Sequence, residues 1–377
     1  MVDARRAGIF LVAVLVLVSG VLLSACGSSD SSATGSTAAA DQSAEGGSDE
    51  GGSSGGAAKL ETGGGPEVEV PSEDLSIGLF MIGESNQWQQ QFVDGAKAAA
   101  AKYGVKLTDY DPEYEPTVQI AQIENAMQKG ETNAVMLIPT SGDLLCNMAS
   151  KQLPEEGIAV MVHAVPVCGH TVASGEESAE PGTLAYVGSV STKEYNLAFL
   201  EAVAKENPGE HTIAMVMGPE ITGQTEALNA AVEEWEPKHP DLHVKYRAYT
   251  NYTTPDALAK TQALLKAHSD IDLIISAYSP DLTQGVVKAL EIEGKAGEIP
   301  VDAIGGSKYD YEQIEKGNVQ LTVPEFPYNN GYLGAKTLAE AAEGKQPPRF
   351  IDDSTVGSAS EPLIITKDNL SEFEPQY

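Results

Sequence analysis

Short apolar runs alternate with amphipathic stretches along residues 72–377, and this alternation limits the fold more than any other feature. Each run has the length of a buried strand, and each stretch carries apolar residues at helical spacing. Strands that alternate with helices in this way form a parallel sheet covered by helices. The predicted strands are 76–82, 105–110, 134–138, 158–162, 184–188, 212–217, 244–249, 273–276 and 301–304.

The same pattern of strands and helices restarts after residue 188, so the sequence predicts an α/β protein with two doubly wound parallel-sheet lobes. Ligands of such sheets bind beyond the carboxyl ends of the strands. We therefore expect a site where the strand ends of the two lobes face each other. The predicted helices are 91–103, stopped by Gly104, then 117–129, one beginning near Asp143, 224–234, 254–267, 283–293 and 309–316.

The N-terminus has a different character. Arg5 and Arg6 precede an uncharged apolar stretch too short to cross a membrane comfortably, and two small residues then lead to Cys26. This order resembles a bacterial lipobox, which predicts a lipoprotein signal peptide over 1–25 and a lipid on the Cys26 sulfur. An ordinary secretory signal with an incidental cysteine is the alternative. In both cases the mature protein is exported.

Residues 26–71 consist mostly of Gly, Ser, Ala, Thr and acidic residues. Such a segment cannot bury enough surface to offset the entropy lost on ordering. We expect a disordered tether, about 35–40 Å from end to end, between the lipid anchor and the folded body.

The chain is strongly acidic, with 55 acidic against 23 basic residues and a formal net charge of −32. This charge opposes binding to nucleic acid and to anionic membrane surfaces. No Asp/Glu-rich loop suggests a cation site, so the acidity favours solubility of an exported protein. No second apolar stretch could span a membrane, and attachment to the membrane would depend on the lipid alone. We expect no cofactor.

Two cysteines follow Cys26, namely Cys146 and Cys168. In an oxidising compartment such a pair favours a disulfide. A metal site formed by His163, Cys168 and His170 is an alternative, but their spacing fits no usual zinc pattern. Free thiols are the third alternative.

Eight short segments carry a family resemblance. They are 76–80, 86–88, 92–97, 137–140, 186–189, 285–290, 317–320 and 362–370. In their order and spacing they resemble ribose-type periplasmic binding proteins, and the resemblance covers residues 72–377. It implies a monomeric, extracytoplasmic substrate-binding protein that delivers its ligand to the permease subunits of an ABC importer. It also implies a three-crossing hinge between a first lobe, 72–188 plus 324–350, and a second lobe, 189–323 plus 351–377.

The resemblance places two aromatic walls in the ligand cleft. Asn86 matches the polar residue after the first strand, and Trp88 falls where the family has an aromatic residue that stacks on a sugar ring. Gln89 replaces a neighbouring aromatic residue, while Tyr252 occupies the corresponding wall of the second lobe. Because its neighbours are polar, Trp88 is expected on an exposed loop rather than in the core.

The charged groups that bind sugar hydroxyls in this family are missing. His163 is the nearest polar side chain to the absent Asp-Arg pair, Gln224 stands near a usual Arg, and Ser279 replaces an Asn. Glu325 takes the place of a hinge Gln or Asn, and Tyr278 adds a hydroxyl. These departures predict a small sugar or sugar-like ligand that is less hydroxylated or larger than a simple pentose and is not strongly anionic. An amine facing Glu325 fits the same pattern. A structural position without ligand contact is the alternative for both His163 and Glu325.

No catalytic residues are predicted, and the protein is not expected to be an enzyme. The sequence has no Gly-x-Ser-x-Gly elbow and no phosphate-binding loop, and nothing selects a catalytic pair among its carboxylates. A repressor with this fold would begin with a basic helix-turn-helix, where this chain has a lipobox and an acidic tether. A receptor that presents ligand to a membrane sensor kinase is the alternative to a transport component.

Overall fold

The computed structural model of the protein describes residues 57–278 and 280–377. The predicted signal peptide and the predicted lipid on Cys26 lie outside these residues. Among the described helices, none combines the length and the apolar character needed to cross a membrane.

A short hairpin precedes the first lobe, formed by β1 (Ala58–Leu60) and β2 (Val68–Val70). Leu60, Val68 and Val70 are buried in the core of that lobe. The prediction of a disordered tether over 26–71 is therefore wrong from residue 57 onward. Val68 and Val70 lie on the same face of β2 because side chains alternate along a strand. In the sequence this apolar pattern is too short to be recognised, since the residues around it are mostly Gly and acidic.

The first lobe contains a six-stranded sheet, and its predicted strands are recovered. Almost every residue of the central strands is buried, as expected for a parallel sheet covered on both faces. In chain order its strands are β3 (Ser76–Phe80), β4 (Lys106–Tyr110), β5 (Ala134–Leu137), β6 (Ala159–His163), β7 (Ala185–Val187) and β13 (Phe350–Ile351), arranged β13-β7-β6-β5-β3-β4.

Helices cover both faces of this sheet, and one of them comes from the distant C-terminal part of the chain. It packs against the first helix of the lobe and was not predicted from the sequence. The helices are α1 (Gln87–Tyr103), α2 (Pro116–Gln128), α3 (Gly142–Asn147), α4 (Leu153–Glu155) and the distant α10 (Pro327–Ala342), with a π-helical turn, Met148–Gln152, between α3 and α4.

The second lobe repeats the arrangement around its own sheet, ordered β14-β12-β11-β10-β8-β9. Only the edge strand β14 is antiparallel to its neighbour. The strands are β8 (His211–Met217), β9 (Leu242–Tyr249), β10 (Leu273–Ser276), β11 (Val301–Gly305), β12 (Leu321–Pro324) and β14 (Ile365–Thr366). The helices are α5 (Lys193–Glu206), which was not predicted, α6 (Gly223–Trp235), α7 (Thr254–Ala267), α8 (Pro280–Ile292) and α9 (Lys308–Lys316).

The chain crosses between the two sheets three times, after β7, after β12 and after β13. The predicted fold, two parallel-sheet lobes joined by a three-crossing hinge, is confirmed. The boundary predicted at residue 350 falls inside β13, because Ile351 still pairs with Val187 in the first sheet.

A disulfide joins Cys146 in α3 to Cys168 in the loop after β6, and their Cα atoms are 4.8 Å apart. The predicted pairing is thus present, and the alternative metal site is not. The His163 ring is hydrogen-bonded to Asn330, and the His170 ring is hydrogen-bonded to Glu180. Within the described residues no group of three or more His, Cys, Asp or Glu side chains could hold a metal ion.

Candidate ligand-binding site

A cavity of about 20 Å³ lies where the carboxyl ends of the strands of both lobes meet. Its lining includes residues within three positions of the ends of β3, β5, β6, β9 and β10, as expected for the binding edge of parallel sheets. None of its described lining residues carries a charge. The lining consists of Ile82, Asn86, Trp88, Gln89, Ile138, Ala164 and Val165 from the first lobe, and Gln224, Tyr252 and Tyr278 from the second.

A larger groove, about 590 Å³ in volume, lies at the other end of the first lobe. Leu75 and Lys106 in its wall are at the amino ends of β3 and β4. Ligands of open α/β sheets bind at the opposite, carboxyl edge. Position therefore favours the smaller cavity as the candidate site.

The first-lobe wall is built by the opening turn of α1. The Asn86 Oδ1 atom accepts a hydrogen bond from the Gln89 backbone N–H at 2.9 Å, and the Gln89 Oε1 atom accepts one from the Asn86 backbone N–H at 3.4 Å. This capping box starts the helix at Gln87, four residues before the start predicted from the sequence. Both amide side chains are buried and held in one orientation.

Trp88 is the second residue of α1 and stacks on Phe92, with ring centroids 5.7 Å apart. Its side chain is only 8% exposed and belongs to the core of the first lobe. The expectation of an exposed loop is therefore wrong, because the polar neighbours of Trp88 are the cap and first turn of a helix. The indole Nε1 atom is buried without a hydrogen-bond partner among the described residues, at the lining of the cavity.

Tyr114, which the sequence analysis did not identify, completes this wall. Its ring stacks on that of Tyr252 across the two lobes, with centroids 6.4 Å apart. Its hydroxyl donates to the Gln89 Oε1 atom at 3.0 Å. The aromatic residue that faces Tyr252 directly is thus Tyr114, while Trp88 lines the cavity beside it.

The second-lobe wall carries two tyrosines whose hydroxyls are already hydrogen-bonded. Tyr252 donates to the Gln224 Oε1 atom at 3.3 Å, and Tyr278 donates to the Asn196 Oδ1 atom. Burial raises the pKa of both phenols far above its ordinary value, so both stay neutral. This wall presents flat, uncharged ring faces to the cavity.

Four residues around the cleft have backbone angles that non-glycine residues rarely adopt. Tyr114, Ala164, Tyr252 and Tyr278 have φ values of 67°, 56°, 60° and 68°. Such strained positions cluster at ligand sites, where the surrounding structure holds them in place. Three of the four residues come shortly after strand ends, at the edge where the cavity lies.

His163 ends β6 but does not line the cavity. Its side chain is fully buried beside α10, and its Nδ1 atom donates to the Asn330 Oδ1 atom at 2.8 Å. Burial lowers the pKa of His163 to about 4, so the ring is neutral. Asn330 in turn donates to an Asp353 carboxylate oxygen at 2.7 Å, which connects the strand end to the hinge. This placement favours a structural role for His163.

Glu325 follows β12 at the second hinge crossing and also lies outside the cavity lining. It is 1% exposed, and burial raises the pKa of its carboxyl to about 8. The Tyr377 hydroxyl lies 3.4 Å from its Oε2 atom, and its Oε1 atom has no partner among the described residues. Neutral Glu325 is therefore part of the hinge, behind the tyrosine wall.

The structure thus brings six of the nine predicted ligand-binding residues to one cavity, and their contact with a ligand stays a prediction. His163 and Glu325 lie elsewhere, and Ser279 is outside the described residues. The six are Asn86, Trp88, Gln89, Gln224, Tyr252 and Tyr278.

Comparisons with known proteins agree with this architecture. A family model described as a periplasmic binding protein domain matches residues 77–346. The ribose import binding protein RbsB of Bacillus subtilis (strain 168) is 21% identical over 282 residues, which are 74% of this chain and 85% of that protein. RbsB of Escherichia coli (strain K12) is 20% identical over 271 residues, or 72% of this chain and 86% of that protein.

Solved structures of ABC transporter solute-binding proteins show the same fold. One from Bacillus halodurans with bound myo-inositol superimposes with a TM-score of 0.70 at 20% identity, covering 81% of this chain and 99% of that one. One from Agrobacterium vitis with bound D-fucose has a TM-score of 0.68 at 21% identity, covering 79% of this chain and 97% of that one.

Proposed function

Because this chain belongs to the periplasmic binding protein domain family, we propose that it is the extracytoplasmic substrate-binding lipoprotein of an ABC importer. In this role it captures a small sugar or sugar-like ligand between its lobes and delivers it to the permease. The observation that carries the proposal is that residues from both lobes converge on one cavity at the carboxyl ends of the strands. The family consists of binding proteins, in agreement with the prediction that the chain is not an enzyme.

Ligand capture requires the lobes to move apart. The cavity of about 20 Å³ has room for about one water molecule, whereas pockets that hold small molecules measure about 300–1,000 Å³. The three hinge crossings allow such an opening. A ligand that contacts both walls then stabilises the closed form, which the permease distinguishes from the open form.

The uncharged lining favours a neutral ligand. The relatives named above import ribose or hold myo-inositol or D-fucose, all of which are neutral. The ring faces of Trp88 and Tyr252 suit the apolar face of a sugar or cyclitol ring. An anion would find no described lysine or arginine at the cavity.

A thermal-shift screen of the purified protein tests the ligand class. Neutral monosaccharides, polyols and cyclitols are compared with amino acids and nucleosides, all at millimolar concentration. We expect at least one neutral sugar or cyclitol to raise the Tm by several degrees, since a ligand that binds only the native state stabilises it. Stabilisation by the other classes alone would contradict the proposal.

The lipid anchor is tested separately with Cys26→Ser. The acyl chains would supply the membrane attachment, so this variant should leave the membrane fraction and appear in the medium or periplasm. Its Tm should equal that of the parent protein. Retention of the variant in washed membranes would show that Cys26 does not anchor the protein.

A further inference from the structure

In the opening turn of α1, the acceptor atoms of the side chains are already hydrogen-bonded, and their donor groups remain. A backbone N–H can only donate, so the bonds of the capping box identify Asn86 Oδ1 and Gln89 Oε1 as the acceptors. The Gln89 oxygen also accepts from the Tyr114 hydroxyl. The Gln89 oxygen thus accepts two bonds and the Asn86 oxygen one, whereas the amide nitrogens of both side chains are the donors left for a ligand.

Trp88, which lies between these two residues in the sequence, adds a third donor. Its indole Nε1 can donate but not accept, and it is buried without a partner among the described residues. An unpaired buried N–H is costly, and a ligand acceptor would remove that cost. Three lining residues with donor groups thus lie on one helical turn of the first-lobe wall.

Acceptors are scarce on the opposite wall as well. The Gln224 Oε1 atom already accepts from Tyr252, and the Asn196 Oδ1 atom already accepts from Tyr278. No carboxylate is among the described residues that line the cavity. What remains on this wall is the second lone pair of the Gln224 oxygen and the lone pairs of two phenols.

From this imbalance we propose that the site selects a neutral ring ligand rich in acceptors and poor in hydroxyls, such as an anhydro sugar, over the parent polyol. This inference rests on the proposed function and narrows its ligand class. Each hydroxyl of a polyol needs an acceptor for its proton, and burying it without one costs free energy. An ether oxygen carries no proton and accepts from Asn86, Trp88 or Gln89 directly.

Calorimetry on matched pairs tests the preference. The probes are 1,6-anhydro-D-glucose against D-glucose and 1,6-anhydro-D-galactose against D-galactose, with D-ribose and myo-inositol as further polyols. The anhydro sugar should bind at least tenfold more tightly than its parent in at least one pair. If the polyols bind as well or better, the inference is overturned and the proposed function stands. If no probe binds, the inference is overturned, and the thermal-shift screen described above decides the proposed function separately.

Asn86→Asp isolates the donor from the helix cap. Aspartate caps a helix as well as asparagine does, so the Tm should not fall, but the Nδ2 donor is replaced by an acceptor. Affinity for the anhydro sugar should fall at least tenfold while affinity for the parent hexose does not. An equal loss for both sugars, or no loss for either, overturns the role given to Asn86.

Trp88→Phe removes the indole donor and keeps an aromatic ring. We expect affinity for the anhydro sugar to fall about tenfold, which corresponds to about 1.4 kcal/mol. Trp235→Phe is the matched control, because Trp235 is also buried with an unpaired Nε1 atom but lies in the second-lobe core, away from the cavity. Unchanged affinity in Trp88→Phe, or an equal loss in both variants, overturns the assignment.

Discussion

The two lobes share one topology but contribute different chemistry to the cleft. The first lobe presents a helical turn that carries donor groups on Asn86, Trp88 and Gln89, of which the Trp88 indole N–H is buried without a partner among the described residues. The second lobe presents Tyr252 and Tyr278, whose hydroxyl protons are bonded within that lobe. The first wall is therefore suited to hydrogen bonding with the polar atoms of a ligand, and the second wall to packing against its ring.

The lobes also differ in how their cleft edge is held. In the first lobe the loop after β6 is tied down by the disulfide and reaches α6 of the second lobe. The second lobe contains no cysteine and holds its edge by packing, with Tyr252 close over Gly218. The covalent constraint is thus on the lobe with the polar contacts. Four sets of variants test this comparison.

Trp88→Ala should have the largest effect. Loss of its ring and its contact with Phe92 should lower the free energy of unfolding by about 3–5 kcal/mol, and ligand affinity should fall at least tenfold. Tyr252→Ala should also weaken binding at least tenfold, whereas Tyr252→Phe should stay within about threefold if that wall supplies only a ring face. Urea unfolding and calorimetry measure the two effects. A tenfold loss of affinity in Tyr252→Phe would show that the second wall also forms hydrogen bonds with the polar atoms of the ligand.

Replacing Cys146 and Cys168 with serine should lower the free energy of unfolding by about 3 kcal/mol, because the disulfide closes a loop of 22 residues. The loss of stability should be confined to the first lobe, which contains both cysteines. Calorimetric melting with and without reductant measures it, and reductant should not change the Tm of the double variant. A parent protein whose Tm is insensitive to reductant would contradict this expectation.

Gly223→Ala tests the closed contact between the lobes. A Cβ atom there would lie 2.7 Å from Val165 Cγ1 and 3.3 Å from Thr171 Cγ2, both across the cleft. The clash disfavours closure by about 1–3 kcal/mol, so affinity should fall about tenfold while the Tm of the ligand-free protein changes little. Adding Val165→Ala should restore part of the affinity. A purely additive double variant would show that the two residues do not meet on closure.

The smallest effect is the pH dependence contributed by the hinge between the lobes. The Glu325 pKa is about 8 in the folded protein because of burial, against 4.5 in the unfolded chain. Between these values only the folded state keeps the proton, so stability falls as pH rises, by at most about 1.4 kcal/mol per pH unit. Asp353 and Asp310, with pKa values raised to about 6, act in the same direction up to that pH.

Glu325→Gln should therefore flatten the decline of the Tm between pH 6 and 8. Glu220→Gln, at an exposed position of the second lobe, changes the same charge and should leave the decline intact. Thermal melting over a pH series measures both slopes. Identical slopes for the two variants would mean that Glu325 is ionised in the folded protein.

Local patterns in the sequence were sufficient for most of the fold. Strands such as Ala134–Leu137 are continuous apolar runs, and Gly104 ends α1 in the left-handed conformation, with φ of 69°. The hairpin at Ala58–Val70 was missed because its apolar face consists of few residues in a Gly-rich stretch. Its stability comes from burial against the first lobe, which no local window contains.

The sequence predicted that the site lies at the carboxyl edge of the sheets, but it did not predict the individual contacts there. The family resemblance indicated Asn86, Trp88 and Tyr252, and their positions after strand ends agree with it, because parallel strands present their carboxyl ends together. The resemblance also placed His163 and Glu325 at the ligand, although both side chains pack into the hinge region. It also missed Tyr114, which stacks on Tyr252 across the two lobes although the two residues are far apart in the chain.

By itself the sequence determined the order of most strands and helices, and it favoured a disulfide between Cys146 and Cys168. These properties depend on residue type and spacing along the chain. The tertiary structure decided which way the amides of Asn86 and Gln89 point, which hydroxyls are already paired, and which buried carboxyls stay neutral. Those properties depend on distances of about 3 Å between residues far apart in the chain, and such distances exist only after both lobes have folded and closed.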